Sequence, residues 1–307
     1  MNLPTGSLAS TAAAPEGVTA ASPSRWDASL TLGIEATARG SVLKSKSHQG
    51  PLYIQKPFYP EGRELAHLYL LHPPGGMVSG DTLAIAANLG SNAAALITTP
   101  GAGRVYKARA DKSLQRQIIE FNVADNASLE WLPLESIIYP GAVTRLETRV
   151  NLHGNARYIG WEVTSLGLPA AGKAFDEGSA MSQSLNIWRD GRLCLRERLV
   201  VDGSKQGMLQ ASCGLKQRPI SGTMVAGPFG ADAVSEAQLD ALRALCDRWI
   251  EQDKDALAGV TLNHDFLIVR YLGSCSEQAR KLFGECWAQI RPLLLAREAC
   301  APRIWAT

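Results

Sequence analysis

The sequence predicts a mainly β protein whose C-terminal part turns helical. Three observations carry that reading. Short runs between about residues 25 and 225 alternate apolar and polar side chains, the period of a half-buried strand. The breaks between them hold turn residues, as in Tyr139-Pro140-Gly141, Asp190-Gly191 and Asp202-Gly203. Beyond about residue 235 the apolar period lengthens to that of an amphipathic helix.

The elements follow in order. Residues 1–24 are mostly Ala, Ser, Thr, Pro and Gly with the single charge of Glu16. Such a composition buries too little apolar surface to offset ordering entropy, so 1–24 reads as a disordered tail. Order is expected from 25 to 307 as one domain, with a β-rich body over 25–227 and a helical part over 228–307. Leu65 to Leu71 is an apolar strand. Ile119, Phe121 and Val123 alternate with Glu120, Asn122 and Ala124. In Arg145–Leu152, Leu146, Thr148, Val150 and Leu152 share one face, and Arg145, Glu147, Arg149 and Asn151 the other. Asp190-Gly191 joins Leu185–Trp188 to Leu193–Leu195 as a hairpin turn, and Glu197 falls on the apolar face of the second run. Many short strands without helical periods between them argue a layered or barrel-like β body.

In the C-terminal part, Ser235-x-x-Gln238 is a capping box ahead of Leu239, Leu242, Leu245 and Trp249. A second box, Ser274-x-x-Glu277, precedes the stripe Ala279, Leu282, Phe283, Cys286, Trp287 and Ile290, and Pro292 should end or kink that helix. Phe266 to Leu272 is β-prone, so this part reads as helix–strand–helix. The apolar end Ile304-Trp305 is expected to pack rather than hang free.

Composition bounds the function classes. Of 307 residues, 46% are hydrophobic and 20% charged, which excludes a mainly disordered chain. Lys+Arg 31 against Asp+Glu 29 leaves a formal charge of +2, no footprint for nucleic acid. No apolar run approaches the roughly 20 residues that span a bilayer. The first basic residue is Arg25 and no apolar core follows Met1, so no export signal is expected. Six cysteines without a Cys-x-x-Cys pair then read as reduced thiols in the cytoplasm.

The common catalytic motifs are absent: there is no phosphate-binding glycine loop, nucleophile elbow or His-Glu-x-x-His. Three denser segments stand out instead. In His72-Pro73-Pro74-Gly75-Gly76-Met77-Val78-Ser79-Gly80-Asp81 the prolines fix φ and the glycines allow positive φ, making a rigid bend. His72 and Asp81 then read either as an imidazole–carboxylate pair able to touch a borderline metal such as nickel, or as turn-stabilising groups. Thr98-Thr99-Pro100-Gly101-Ala102-Gly103-Arg104-Val105-Tyr106-Lys107 reads either as a strand-ending loop or as an anion or partner contact through Arg104, Tyr106 and Lys107. Glu130-Trp131-Leu132-Pro133-Leu134-Glu135 carries two carboxylates that line a polar cleft or face water.

Taken in this order, these segments resemble the urease accessory protein UreD (UreH) family. The resemblance runs from Trp26 through Gln55-Lys56-Pro57-Phe58, HPPGGMVSGD, TTPGAGRVYKA, LEWLPLESIIYPGA and Trp161-Glu162 to Leu267–Gly273, Ile290-Arg291-Pro292 and the terminal PRIWAT. It implies a β-helix-like stack of many short strands with a two-helix element. It also implies a non-enzymatic chaperone that works with UreF-like and UreG-like proteins on the urease structural subunits to deliver nickel. No tightly bound cofactor is implied, only transient nickel. The sequence departs from the family at Leu168 and Lys173, where arginine and glutamate are usual, at Leu134 for glutamine and at Ser79 for glycine.

The strand pattern nominates Glu130, Glu135 and Glu162 as acids facing an internal polar passage, with His72 and Asp81 near one opening. Glu130 alternates with Leu129 and Trp131, and Glu162 with Trp161 and Val163, so each points away from an apolar layer. A buried carboxylate needs water, a cation or a donor. The alternatives are a non-conducting scaffold for a UreF-like protein, or a hydrolase built on Glu130 and Glu135.

Overall fold

The computed structural model describes residues 25–230 and 234–306, and the expected tail over 1–24 lies outside them. The chain is mostly β, 46% strand against 17% helix, as expected. In chain order the strands are β1 (Asp27–Thr37), β2 (Gly40–Gln49), β3 (Tyr53–Ile54), β4 (Ala66–Leu71), β5 (Thr82–Leu89), β6 (Ala94–Thr98), β7 (Gly103–Val105), β8 (Gln115–Val123), β9 (Ser128–Trp131), β10 (Ser136–Ile138), β11 (Val143–Leu152), β12 (Arg157–Leu166), β13 (Ala180–Arg189), β14 (Arg192–Asp202), β15 (Ile220–Gly227), β16 (Leu257–Asn263) and β17 (Phe266–Gly273). The helices are α1 (Gln206–Gln210), α2 (Glu236–Gln252) and α3 (Ser276–Leu295).

The strands form two sheets. The first has seven strands in the order β14-β13-β11-β8-β5-β1-β2, the second ten along β16-β17-β15-β12-β9-β6-β4-β3, with β10 joined to β12 and β7 to β10. In the first sheet β1, β5, β8, β11 and β13 run parallel, and hairpins add β2 and β14 at its ends. In the second, β4, β6, β9 and β12 run parallel. Parallel neighbours cannot be joined by a tight turn and need a crossover. Here the crossover is itself a strand of the other sheet, so the chain alternates between sheets. The architecture is thus two multi-strand sheets joined by crossing strands.

Burial follows from this layering. Between the sheets, Leu30, Leu32, Ile85, Phe121 and Val150 meet Leu68, Ile97, Leu129, Trp131 and Tyr158. The other face of the second sheet packs Leu96, Ile159, Trp161, Val163 and Val269 against Leu242, Leu245, Leu282, Phe283 and Trp287 of α2 and α3. The second sheet is thus covered on both sides. That is why β6 is buried throughout while β5, with one face outward, alternates.

Several local expectations hold. Asp190 (φ 48°) and Gly191 (φ 79°) make the hairpin turn between β13 and β14. Ser235 and Gln238 form the reciprocal capping box of α2. Trp305 Nε1 donates to Thr98 Oγ1 at 2.9 Å and its ring lies 5.6 Å from that of Trp161. Others need correction. The C-terminal part is helix–hairpin–helix, because β16 pairs with β17. Its pattern was faint, since only Val260 of β16 is buried. The N-cap of α3 is Cys275, which makes no side-chain cap bond, not Ser274. Pro292 lies within the last turn of α3, which stops at Leu295 before Ala296 in the left-handed conformation. The short α1 carried no readable period.

Candidate functional site

The glycine-rich segments come together at one end of the molecule. Met77 N–H donates to Arg104 O at 2.8 Å and Tyr106 N–H to Met77 O at 3.0 Å, so the HPPGGM bend lies along β7. β7 pairs with β10, which pairs with β12, and Gly103 N–H donates to Glu135 O at 2.9 Å. Gly75 has φ +73°. At Gly76 the reason for glycine is contact: a Cβ would sit 2.6 Å from the Tyr106 ring and 2.8 Å from Arg104 O. Buried Gln115 stitches the segments, donating to Tyr106 O at 2.7 Å and accepting from Val143 N–H at 3.1 Å.

His72 and Asp81 resolve differently. The Asp81 carboxylate accepts from the N–H groups of Trp26 and Val78, each at 2.9 Å, so it ties the bend to the start of β1. It makes no hydrogen bond to His72, and the turn-stabilising reading describes it. His72 is half-buried at a cavity wall. Burial pushes its imidazole below the ordinary value, and the Asp81 charge pulls the other way. Arg104 also lines this cavity, whereas Tyr106 packs edge-on against Tyr139 and exposed Lys107 lies over Gly141.

Three neighbouring cavities lie along the space between the sheets. The first, of about 200 Å³, is lined by His72, Gly75, Gly101, Gly103, Arg104, Gln117 and Ser136. The second, of about 60 Å³, shares Gly103, Gln117 and Ser136 with it and adds Glu162 and Gln183. The third, of about 420 Å³, shares Glu162 and Gln183 and is lined further by Glu197, Cys213, Arg270 and Tyr271. Glu162, on the inward face of β12, therefore borders two of the three. Its carboxylate accepts from Thr148 Oγ1 at 2.5 Å and Gln183 Nε2 at 2.8 Å, both from the opposite sheet. Burial raises its carboxyl above the ordinary value, and the two hydrogen bonds work against the rise. No cation neutralises it among the described residues.

Glu130 and Glu135 point elsewhere. Glu130 faces α3, where Arg291 Nε and Nη2 donate to it at 2.9–3.2 Å and Trp287 Nε1 at 2.6 Å. Arg291 is fully buried. It also pairs with Glu61 at 2.7 Å, and Glu61 accepts from His67 Nε2 at 2.7 Å. Burial alone would raise the Glu61 carboxyl, but the His67 and Arg291 bonds and charges outweigh it and hold it at about 2. Glu135 pairs with Arg280 of α3 at 2.9 Å. The expected single passage lined by Glu130, Glu135 and Glu162 is thus divided: alternation puts Glu130 and Glu162 on opposite faces of one sheet. Among the described residues no three His, Cys, Asp or Glu side chains gather to hold a metal ion.

Sequence reasoning missed Gln117, Gln183, Glu61, His67 and Arg291. The two glutamines had a signal, since each breaks an inward apolar register, Gln117 before Ile119 and Gln183 between Met181 and Leu185. Arg291 was quoted only as part of a motif. Its two carboxylate partners, Glu61 and Glu130, are far away in sequence and nothing local pointed to them.

The model of the UreD urease accessory protein family matches residues 27–306. A Marinomonas sp. (strain MWYL1) protein named urease accessory protein UreD is 53% identical over 92% of this chain and 91% of its own length. Proteins of the same name from Hahella chejuensis and Methylobacillus flagellatus are 40% and 39% identical, each over 92% of this chain and over 91% and 95% of their own lengths. The match therefore spans both sheets, the three cavities and both long helices, and the chain belongs to the UreD family of urease accessory proteins.

Proposed function

We propose that this chain is a non-catalytic accessory factor that assembles with UreF-like and UreG-like proteins on the urease structural subunits in the cytoplasm. On this reading it guides nickel through the space between its sheets. The observation that carries the reading is the row of three cavities with shared walls and Glu162 where the second and third meet. A conduit must release its cargo, so lone weak ligands suit it better than a cage of thiolates and imidazoles. Glu162 supplies one hard oxygen donor without a competing cation, and Gln117, Gln183 and His72 supply neutral polar walls. The hydrolase alternative loses its acids, because Glu130 and Glu135 are held by arginines. Glu130 instead anchors α3.

The test is co-expression with urease and the UreF-like and UreG-like proteins, measuring nickel per urease and the assembled complex by size exclusion. A stable complex should bury at least about 1,200 Å² in total. Glu162→Ala, and Ser136→Leu to fill the narrowest cavity, should both lower nickel while leaving the complex intact. Full nickel loading in both variants would leave a scaffold that does not conduct metal.

A further inference from the structure

The outer face of the first sheet carries a charge arrangement that neither the fold nor the cavities use. Sheets of parallel strands are as a rule covered on both faces, yet no described element covers that face. β8, β11 and β14 place Arg116, Arg145, Arg149, Arg196 and Arg198 on it, all exposed, and these strands hold no lysine. Arg116 and Arg145 are register partners on adjacent strands, and Arg149 and Arg196 flank Asn186 in one row. Among the described residues none of the five joins an ion pair, whereas Arg189, Arg270 and Arg291 elsewhere do. Arg149 and Arg196 instead donate to the neutral amides of Asn151 and Asn186, at 2.9 and 3.0 Å.

Like charges directly opposite one another on neighbouring strands cost stability. Arg149 is compensated, lying opposite Glu120 in register and 4.8 Å from the centre of the Trp188 ring. The Arg116–Arg145 pair bears this cost with no ion pair among the described residues, and a face with such a pair is suited to an anionic ligand. Arginine's planar fork matches carboxylates two bonds at a time, and arginine is enriched in protein interfaces, where lysine is depleted. Glu120 and Glu147 interrupt the basic field, and Ile118 and Val200 add exposed apolar surface, both of which suit a protein better than a phosphate backbone.

We propose that this face docks an acidic protein segment, with carboxylates bridging the Arg116–Arg145 pair and the Arg149–Arg196 row. The proposal needs neither nickel nor Glu162. It is tested on the full chain by fluorescence anisotropy with labelled poly-L-glutamate and, separately, labelled duplex DNA, at low salt and at about 0.15 M ionic strength. Poly-L-glutamate should bind more tightly than DNA. The double variant Arg116→Glu with Arg145→Glu should weaken that binding by about tenfold or more, and Lys44→Glu with Lys46→Glu, away from the face, should not. Equal binding by the arginine double variant, or tighter binding of DNA, overturns the proposal. Arg145→Gln alone should raise the melting temperature by relieving the like-charge pair; an unchanged or lower value removes the argument from strain.

Discussion

The two faces of the ten-stranded sheet each bury a glutamate and treat it in opposite ways. Glu130, on the helix side, meets a buried arginine shared with Glu61 and an indole N–H. Glu162, three strands of sequence later and facing the other sheet, meets only a hydroxyl and an amide. Burial opposes ionisation at both. At Glu130 a full positive charge answers it, and the group is committed to holding a helix on a sheet. At Glu162 only dipoles answer it, and no cation neutralises it among the described residues. Two residues with the same side chain on one sheet are thus separated by partner rather than by burial.

The largest expected effect is on the committed side. Arg291→Ala leaves two acids buried beside a histidine and should cost about 3–5 kcal/mol in urea unfolding; a loss under about 1 kcal/mol would mean that Glu130 is no better served than Glu162. Next comes the wall of the first cavity. Gly76→Val must push the Tyr106 ring and the Arg104 carbonyl aside and should cost on the order of 1–3 kcal/mol, seen as lost soluble protein. Unchanged melting would show that this end of the inter-sheet space is compliant.

Acid titration separates the two networks by sign. The Glu61 carboxyl is held down in the folded state, so its stabilisation is present above about 4.5 and is lost as pH falls toward about 2. The Glu162 carboxyl is raised, so the folded state keeps a proton that the unfolded chain has released. Its contribution to stability therefore declines as pH rises through the ordinary carboxylate range. Glu162→Gln should remove that decline while changing stability at low pH by less than about 1 kcal/mol. A Gln variant with the parent's pH profile would show that Glu162 is not the titrating group.

The strands that alternate cleanly were legible: β8, β11 and the β13–β14 hairpin announce themselves because one face is core and the other open. So were α2 and α3, whose stripes face the sheet. The chain's alternation between sheets was not, because periodicity reports burial and says nothing of which strand lies next door. Glu162 was nominated for the right physical reason, pointing away from Trp161 and Val163 into a second interior. Glu130 met the same criterion but faces α3, where its partner Arg291 lies 161 residues away in sequence. Local pattern finds a buried acid. It does not find the acid's partner.

The hairpins at the two ends of the first sheet have a consequence for assembly. Among the described residues each leaves an unpaired strand margin, and such margins invite copies of a protein to join into fibres. Here β2 carries Lys44 and Lys46 and β14 carries Arg192, Arg196 and Arg198. Both margins are therefore basic, and one copy presenting its β14 margin to the β2 margin of another brings positive charge against positive charge. Charge at the rims thus opposes end-to-end growth of a sheet whose hydrogen bonding alone would permit it.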